Sequence, residues 1–238
     1  MTNNVQIMTA IASRLQAVNR AIAQAAHMAQ RRAENITLLA VSKVFPAAAV
    51  REAYEAGQRV FGESYVQEAL DKIAELRDLP LEWHFIGPIQ SNKTRAIAAY
   101  FAWVHSVDRL KIAERLSAQR PPYLPPLNIC IQVNVSGEDS KSGVSPGAVL
   151  ELAQAVARLP QLKLRGLMAI PAPMDGMEAQ RKPFAHLRQL LQQLNAQGLE
   201  LDTLSMGMSH DLEAAVLEGA TIVRVGSAIF GQRDYGEK

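Results

Sequence analysis

A lysine that follows an apolar segment is the first residue whose position suggests chemistry. Lys43 comes directly after the aliphatic run 36–41 and Ser42, and Val44 and Phe45 follow it. An ammonium held among apolar groups is poorly solvated, so the neutral amine, which attacks carbonyl carbons, becomes easier to form. A lysine at a strand end also commonly extends its charge into solvent, and Lys43 considered alone fits that simpler interpretation as well.

Two later segments combine glycine with serine, as phosphate-binding loops do. Residues 205–209 read Ser-Met-Gly-Met-Ser, and residues 224–231 read Arg-Val-Gly-Ser-Ala-Ile-Phe-Gly. In (β/α)₈ barrels, phosphate sites commonly follow the seventh and eighth strands, at the start of a short extra helix. Gly226 would let the backbone approach an anion and Ser227 offers an amide and a hydroxyl, although ordinary tight turns also use such glycines. A lysine amine facing a phosphate site fits two ligand classes, a sugar phosphate with a carbonyl group or pyridoxal 5′-phosphate.

Arg224 favours the second of these ligands. It stands two residues before Gly226, within an apolar segment whose end should reach the same loops. There a guanidinium can donate a hydrogen bond to a pyridine nitrogen, and its permanent charge disfavours protonation of the ring. The unprotonated ring is a weaker electron sink for carbanion chemistry. A structural or surface arginine is the alternative interpretation.

The remaining polar residues give weaker signals. His84 lies inside the apolar segment 83–86 and fits a core histidine. Cys130 is the chain's one cysteine, which excludes a disulfide within the chain and a zinc site with two cysteines. The small basic loops 91–95 and 140–143 fit solvated loops, with a second anion or a partner as the alternative. No Ser-His-Asp set and no metal-ligand spacing stands out.

The elements that would position these residues alternate between strand-like and helix-like segments. A leading helix over residues 5–32 is followed by apolar strand segments, each followed or nearly followed by a helical pattern. Eight such units in about 200 residues favour a (β/α)₈ barrel over an open sheet, with the active face at the carboxyl ends of the strands. The predicted strands are 36–41, 59–62, 81–86, 103–107, 127–135, 162–170, 203–208 and 222–225. The predicted later helices are 46–56, 64–76, 93–100, 108–118 with Asp108 as the cap, 146–158, 178–197 and 211–218.

Composition narrows the class of protein. The 238 residues are 48% hydrophobic and carry a net charge of +2, too even a balance for a nucleic-acid or membrane-surface partner. No apolar run approaches the roughly 20 residues that span a bilayer, and the first residues lack a signal-peptide pattern. The proline-rich stretch 121–126 fits a rigid connection within one domain. We therefore expect a single domain over residues 1–238, in the cytoplasm.

The motifs together resemble those of the pyridoxal phosphate homeostasis proteins, the stand-alone relatives of the N-terminal barrel of alanine racemase. They cover nearly the whole chain, in order, and the combination is highly specific. The matching motifs are Ala-Val-Ser-Lys at 40–43, Phe-Gly-Glu-Ser-Tyr-Val-Gln-Glu at 61–68, Trp-His-Phe-Ile-Gly-Pro-Ile-Gln-Ser-Asn-Lys at 83–93, Ser-Lys-Ser-Gly at 140–143, Arg-Gly-Leu-Met at 165–168, Ser-Met-Gly-Met-Ser at 205–209 and Val-Arg-Val-Gly-Ser-Ala-Ile-Phe-Gly at 223–231.

The resemblance implies fold-type III binding of pyridoxal 5′-phosphate, with Lys43 holding the cofactor as a Schiff base. It also implies that Arg224 faces the pyridine nitrogen and that the phosphate is held after strands seven and eight. The family usually has asparagine where this chain has Ser64, which puts a cofactor contact from that side chain in question. The predicted cofactor-binding residues are Lys43, Ser205, Ser209, Arg224, Gly226 and Ser227.

The resemblance further implies a role in vitamin B6 homeostasis, as a carrier or regulator of the cofactor without efficient turnover. Apo forms of pyridoxal phosphate enzymes are then candidate recipients, and we expect a monomer. The alternative is an amino-acid racemase, which needs a base on each face of the substrate carbon. In alanine racemase the base opposite the lysine comes from a second domain, which this chain is expected to lack, and Tyr65 is a substitute that nothing in the sequence positions. The motif set disfavours a Schiff-base aldolase acting on a sugar phosphate.

Overall fold

Short aliphatic runs form the strands of a closed barrel. The computed structural model describes residues 9–137 and 142–232. Within them, eight parallel strands pair in chain order and close on themselves, which confirms the predicted (β/α)₈ barrel. The strands are β1 Thr37–Val41, β2 Val60–Glu63, β3 Glu82–Phe85, β4 Trp103–Val107, β5 Leu127–Gln132, β6 Leu162–Met168, β7 Thr203–Ser205 and β8 Ile222–Val225.

The pairing of β1 with β8 closes the barrel. Thr37 lies opposite Ile222 and Ala40 opposite Val225, so the two strands end at the same level. Because all strands run in the same direction, the segments that follow them gather at one end of the barrel. This brings the segment after Val41 close to the segment after β8.

Helices cover the outside of the barrel and a leading helix packs beside its last units. This first helix, α1, has Thr9 as its N-cap, which accepts a hydrogen bond from the Ala12 amide. It confirms the predicted additional N-terminal helix, although its predicted first residues lie outside the described residues. It contacts α8 and α9. The α-helices are α1 Ala10–Met28, α2 Ala47–Glu55, α3 Val66–Glu75, α4 Thr94–Tyr100, α5 Leu110–Gln119, α6 Val149–Ala157, α7 Met177–Ala196, α8 Leu212–Leu217 and α9 Ser227–Phe230.

Some predicted boundaries were wrong. Strand β7 ends at Ser205 rather than at residue 208, because the chain turns at Gly207, whose φ of +92° suits glycine. Strand β5 ends at Gln132 rather than at residue 135. Asp108 does not cap α5: Arg109 is the N-cap residue, and the Asp108 carboxylate accepts a hydrogen bond from the Arg109 side chain instead.

The core has an outer and an inner part. The larger apolar cluster, which includes Leu38 and Ala40, packs between strands and helices. Leu39 belongs to a second, smaller cluster, and because successive strand residues face opposite sides, this cluster fills the barrel interior. The other buried members of the interior cluster are Trp103, Cys130, Met168 and Ile222. No helix in the described ranges is long and apolar enough to cross a membrane.

Candidate functional site

A cavity of about 570 Å³ opens at the carboxyl ends of the strands. It collects segments that lie far apart in the chain, namely those after β1, β2, β3, β6, β7 and β8. Five of the six predicted binding residues line it; Ser205 does not. The lining residues are Val41, Lys43, Ser64, Ile86, Ile170, Met208, Ser209, His210, Arg224, Gly226, Ser227 and Gln232.

The charges of this cavity wall favour an anion. Lys43 and Arg224 supply two basic side chains, and Ser209 and Ser227 add hydroxyl groups. Among the described residues that line the cavity there is no aspartate or glutamate. A wall with cations and donors but without a carboxylate attracts a phosphate-bearing ligand.

The backbone that carries Lys43 is held in a strained turn. Val44 has a φ of +66°, a conformation that is an outlier for a β-branched residue and that neighbouring contacts must maintain. The Val44 amide donates a hydrogen bond of 2.5 Å to Glu68 Oε1, on helix α3. The same oxygen accepts a 2.6 Å bond from Lys72 Nζ. Helix α3 therefore fixes the direction in which the chain leaves β1.

A buried ion pair supports the other side of this turn. Lys72 Nζ lies 2.8 Å from Glu63 Oε1 and donates a 2.7 Å bond to the Ser42 carbonyl oxygen. The Ser42 hydroxyl donates to Glu63 Oε1 at 2.6 Å. Burial raises the pKa of Glu63, while Lys72 and Ser42 act against that rise.

Sequence reasoning missed this cluster, although one signal was present. On α3, only Ala69 and Lys72 are buried. They are three residues apart and share one helix face, so a lysine occupies the core-facing stripe where an apolar residue is usual. A cation at such a position requires a buried carboxylate, and Glu63 at the end of β2 supplies it.

The turn after β7 places Ser209 in the cavity wall. Gly207 has a positive φ, and a side chain there would also collide with Ala215. The Met208 amide donates a 2.6 Å bond to Asp211 Oδ1, which closes the turn. Ser209 is left exposed at the cavity.

The end of β8 approaches β1 closely. A Cβ atom on Gly226 would lie only 3.2 Å from the Val41 carbonyl oxygen, so a larger residue would push the two strand ends apart. Ser227 begins the short helix α9 directly after Gly226, and its side chain is exposed. The predicted phosphate-binding serines thus stand on neighbouring loops of one cavity.

Arg224 is buried to 4% exposure, and two protein acceptors hold its guanidinium. Nη1 donates to Ser205 Oγ at 2.8 Å, and Nη2 donates to the Ala169 carbonyl oxygen at 2.8 Å. Burial lowers the pKa of Arg224 to about 10, which leaves it cationic at neutral pH. Ser205 is fully buried and touches the cavity only through Arg224.

Two histidines continue the hydrogen bonds behind Ser205. His105 Nδ1 lies 2.7 Å from Ser205 Oγ, and His105 Nε2 lies 2.9 Å from His84 Nδ1. His84 Nε2 lies 2.7 Å from Glu82 Oε1, at the start of β3. Burial lowers the pKa of His84 and, more strongly, that of His105. His84 is thus the partnered core histidine that the sequence indicated, and His105 is a member that sequence reasoning did not single out.

The cavity wall offers three kinds of functional group, namely an amine, a fixed cation and several hydroxyl donors. The amine of Lys43 suits a carbonyl carbon, Arg224 suits a ring acceptor, and the serines suit a phosphate. No group of three histidine, cysteine, aspartate or glutamate residues within the described ranges could hold a metal ion. The donor set fits pyridoxal 5′-phosphate in each of its three parts.

Comparison with known proteins agrees with this geometry. Residues 14–234 match the family described as alanine racemase, N-terminal domain. The pyridoxal phosphate homeostasis protein of Pseudomonas aeruginosa is 65% identical over 229 residues, which is 96% of this chain and 98% of that protein. The protein of the same name from Escherichia coli K12 is 53% identical over 234 residues, 97% of this chain and 100% of that protein.

One similar solved structure contains the ligand that the donor set fits. PipY of Synechococcus elongatus PCC7942, solved with PLP bound, is 41% identical and superimposes with a TM-score of 0.80. The match covers 93% of this chain and 100% of PipY.

Proposed function

Because the chain belongs to the pyridoxal phosphate homeostasis proteins, a family with the alanine racemase N-terminal domain, we propose that it holds pyridoxal 5′-phosphate on Lys43 and carries or regulates this cofactor in vitamin B6 homeostasis. One observation supports the assignment above all: a single cavity joins Lys43, Arg224 and the exposed Ser209 and Ser227, with no carboxylate among its described lining residues. Bound pyridoxal phosphate supplies an aldehyde and an electron-withdrawing ring.

Each residue has a distinct part in this proposal. Lys43 Nζ attaches covalently to the aldehyde carbon, with loss of water. Ser209, Ser227 and the backbone at Gly226 bind the phosphate, because they stand on adjacent loops of the cavity wall. Arg224 donates to the pyridine nitrogen, and Ser205 contributes by holding Arg224.

Carriage without efficient turnover is favoured over racemisation. A racemase needs an acid or base facing the lysine across the bound substrate. Tyr65, the substitute that the sequence offered, is 55% exposed and is not one of the cavity-lining residues. A cation beside the pyridine nitrogen would also keep the ring unprotonated, which weakens it as an electron sink. The position of Tyr65 outside the cavity and the weaker electron sink favour a protein that keeps the cofactor, although His210 is an imidazole in the cavity wall that the deuterium test below also probes.

The proposal extends to the setting of the protein. We place a monomer of one domain, residues 1–238, in the cytoplasm, delivering the cofactor to apo-enzymes that use it. The cytoplasmic location is supported by Cys130, the only cysteine of the chain, which is buried as a free thiol. The single-domain organisation is supported by the family match, which spans residues 14–234.

Covalent attachment can be tested on purified protein. Reconstitution with pyridoxal phosphate should give a coloured protein in which borohydride fixes the cofactor on the peptide that contains Lys43. Lys43→Ala should lose that label, whereas Lys93→Ala, at an exposed site outside the cavity, should keep it. A wild-type protein that stays colourless after reconstitution would refute the proposal.

Carriage and catalysis can be separated with the loaded protein. Transfer of the cofactor from the loaded protein to an apo-enzyme should be faster than release of the cofactor into solution. The release rate is measured by trapping the cofactor that dissociates. Incubation with one enantiomer of alanine, serine or lysine in deuterated water should give no rapid deuterium incorporation at the α-carbon. Incorporation with inversion would establish the racemase alternative instead.

A further inference from the structure

A continuous chain of hydrogen bonds crosses the barrel interior from one end to the other. It begins at Arg224, in the cavity wall, and passes through Ser205, His105 and His84. It ends at Glu82, whose side chain is 49% exposed at the start of β3. The four contacts measure 2.8, 2.7, 2.9 and 2.7 Å along this path. The three middle members are buried.

The two ends of the chain fix the position of every proton in it. A guanidinium only donates, so Ser205 Oγ accepts from Arg224 and can give its own proton to His105 Nδ1. His105 then carries its proton on Nε2 and donates it to His84 Nδ1. His84 in turn donates from Nε2 to the Glu82 carboxylate, which only accepts. Each link is satisfied once when both rings are neutral, which is the form that burial of the two imidazoles favours.

We infer that Glu82 is a positioning residue for Arg224, acting through both imidazoles and Ser205, although it lies at the opposite end of the barrel. The inference rests on the proposed function, in which Arg224 faces the pyridine ring. Glu82 accepts at the far end and thereby keeps the Ser205 proton turned away from the guanidinium. Ser205 Oγ then offers its lone pairs to Arg224, and the remaining N–H groups of Arg224 are left for the cavity.

Removing the acceptor at Glu82 reverses the chain. His84 would then be better satisfied with its proton on Nδ1, donating to His105 Nε2. His105 would move its proton to Nδ1 and donate to Ser205 Oγ. In the variant, the Ser205 oxygen would accept from both His105 and Arg224. In the native arrangement it accepts from Arg224 alone, so the guanidinium would gain a competitor.

Neighbouring residues hold the His84 ring and the charge of Glu82 at one end of the hydrogen-bond chain. Trp103 stacks on His84 with ring centroids 5.3 Å apart and planes inclined by 20°, which holds the imidazole plane. The hydrogen bond from His84, and beyond it the charge of Arg165, lower the pKa of Glu82, so the carboxylate stays ionised at neutral pH. The chain therefore ends on a stable negative charge.

Nitrogen NMR of the histidine rings tests the chain in the protein without cofactor. The protein has five histidines. His27, His186 and His210 are not buried, so they serve as internal references. We expect His84 and His105 to be neutral Nε2–H tautomers at pH 7. Glu82→Leu should convert both to Nδ1–H, whereas Glu82→Gln, whose amide oxygen can accept, should leave them unchanged. Nδ1–H tautomers in the wild type, or no conversion in Glu82→Leu, would overturn the inference.

Cofactor binding tests whether the chain reaches Arg224. Loss of one well-placed hydrogen bond corresponds to about a three- to tenfold loss of affinity. We expect that loss, with a shifted cofactor absorption band, in Glu82→Leu and Ser205→Ala, but not in Glu82→Gln. Ser205→Thr should keep the wild-type affinity and absorption band, because it keeps the hydroxyl. Converted tautomers with wild-type affinity and spectrum would refute the coupling. A wild type that binds no cofactor would instead refute the proposed function, while the tautomer result would stand by itself.

Discussion

The two basic side chains of the cavity are supported in opposite ways. Beside Lys43, the backbone is held by a compact charged cluster of two carboxylates and the buried ammonium of Lys72. Arg224 is held by neutral groups, a serine and a backbone carbonyl, and no carboxylate within the described residues hydrogen-bonds its guanidinium. The carboxylate of Glu82, at the end of this hydrogen-bond chain, lies four hydrogen bonds away from Arg224.

This difference suits the proposed function. Under that proposal, the neutral amine of Lys43 forms a covalent bond to the cofactor, while the cluster holds only the backbone turn that carries it. Arg224, under the same proposal, stays a fixed cation beside the ring of the cofactor. Neutral groups orient the guanidinium without cancelling its charge at the cavity. The Glu82 carboxylate lies at the far end of the hydrogen-bond chain, and charges further apart interact less. Substitutions in the two regions should therefore affect different properties of the protein, and by different amounts.

The largest expected effect comes from removing the cation of the charged cluster. Lys72→Met leaves Glu63 as a buried carboxylate without its partner, which should lower the free energy of unfolding by about 3–5 kcal/mol. Burial already raises the pKa of Glu63 above 4.5, and the loss of Lys72 raises it further. The part of the deficit that comes from the unpaired charge is absent below the unfolded pKa, grows as the pH rises from there to the folded pKa, and is complete above it.

Denaturant unfolding at several pH values measures both features. The deficit of Lys72→Met should shrink as the pH is lowered towards 5, and the added change Glu63→Gln should recover part of it. Lys111→Met, at an exposed lysine on α5, is the matched control and should unfold like the wild type. A deficit that does not depend on pH would mean that lost packing, not the unpaired charge, is responsible.

A smaller effect is expected where the cluster meets the strained turn. Glu68→Ala removes the acceptor of both the Val44 amide and Lys72 Nζ. Hydrogen bonds to charged groups contribute about 1.5–3 kcal/mol each, and a loss near the lower end is expected because Glu68 is partly exposed. The turn would no longer be held at positive φ, so cofactor should attach to Lys43 more slowly. Stopped-flow absorbance follows this rate, and Glu75→Ala, later on the same helix, is the control; unchanged attachment would contradict the role of the turn.

The histidine chain predicts a gradual loss of stability in acid. The folded pKa values of His84 and His105 lie below the ordinary 6.5, so the unfolded chain binds more protons below that pH. Their contribution to stability is fully present above the unfolded pKa of about 6.5, and it is lost as the pH falls from there towards the folded pKa values. Unfolding of wild type and His105→Asn between pH 7 and 5 measures this, with a smaller slope expected in the variant. Equal slopes would show that His105 titrates alike in both states.

The sequence predicted the barrel and the residues that line the cavity better than the hydrogen bonds and ion pairs that hold those residues in place. Aliphatic runs and glycine stops repeat locally, so strand order and the residues after each strand follow from pattern alone. The supports join residues that are far apart in the chain, such as His105 and Ser205, which hydrogen-bond across 100 positions. A pattern along one segment carries no information on such a pairing. Ser205 was predicted as a binding residue because it stands in a binding motif, whereas its hydrogen bonds connect it to the cavity wall only through Arg224.

The smallest expected effect concerns Cys130, which lies in the same interior as Arg224. Burial raises the pKa of its thiol to about 12, so at pH 8 almost none of it is the reactive thiolate. A thiol reagent should therefore label the native protein no faster than the protein unfolds, and denaturant should expose one reactive group. Rapid native labelling would mean that water and ions enter the barrel interior. At the far end of the barrel Glu82 is half exposed, so the carboxylate that ends the Arg224 chain stays hydrated.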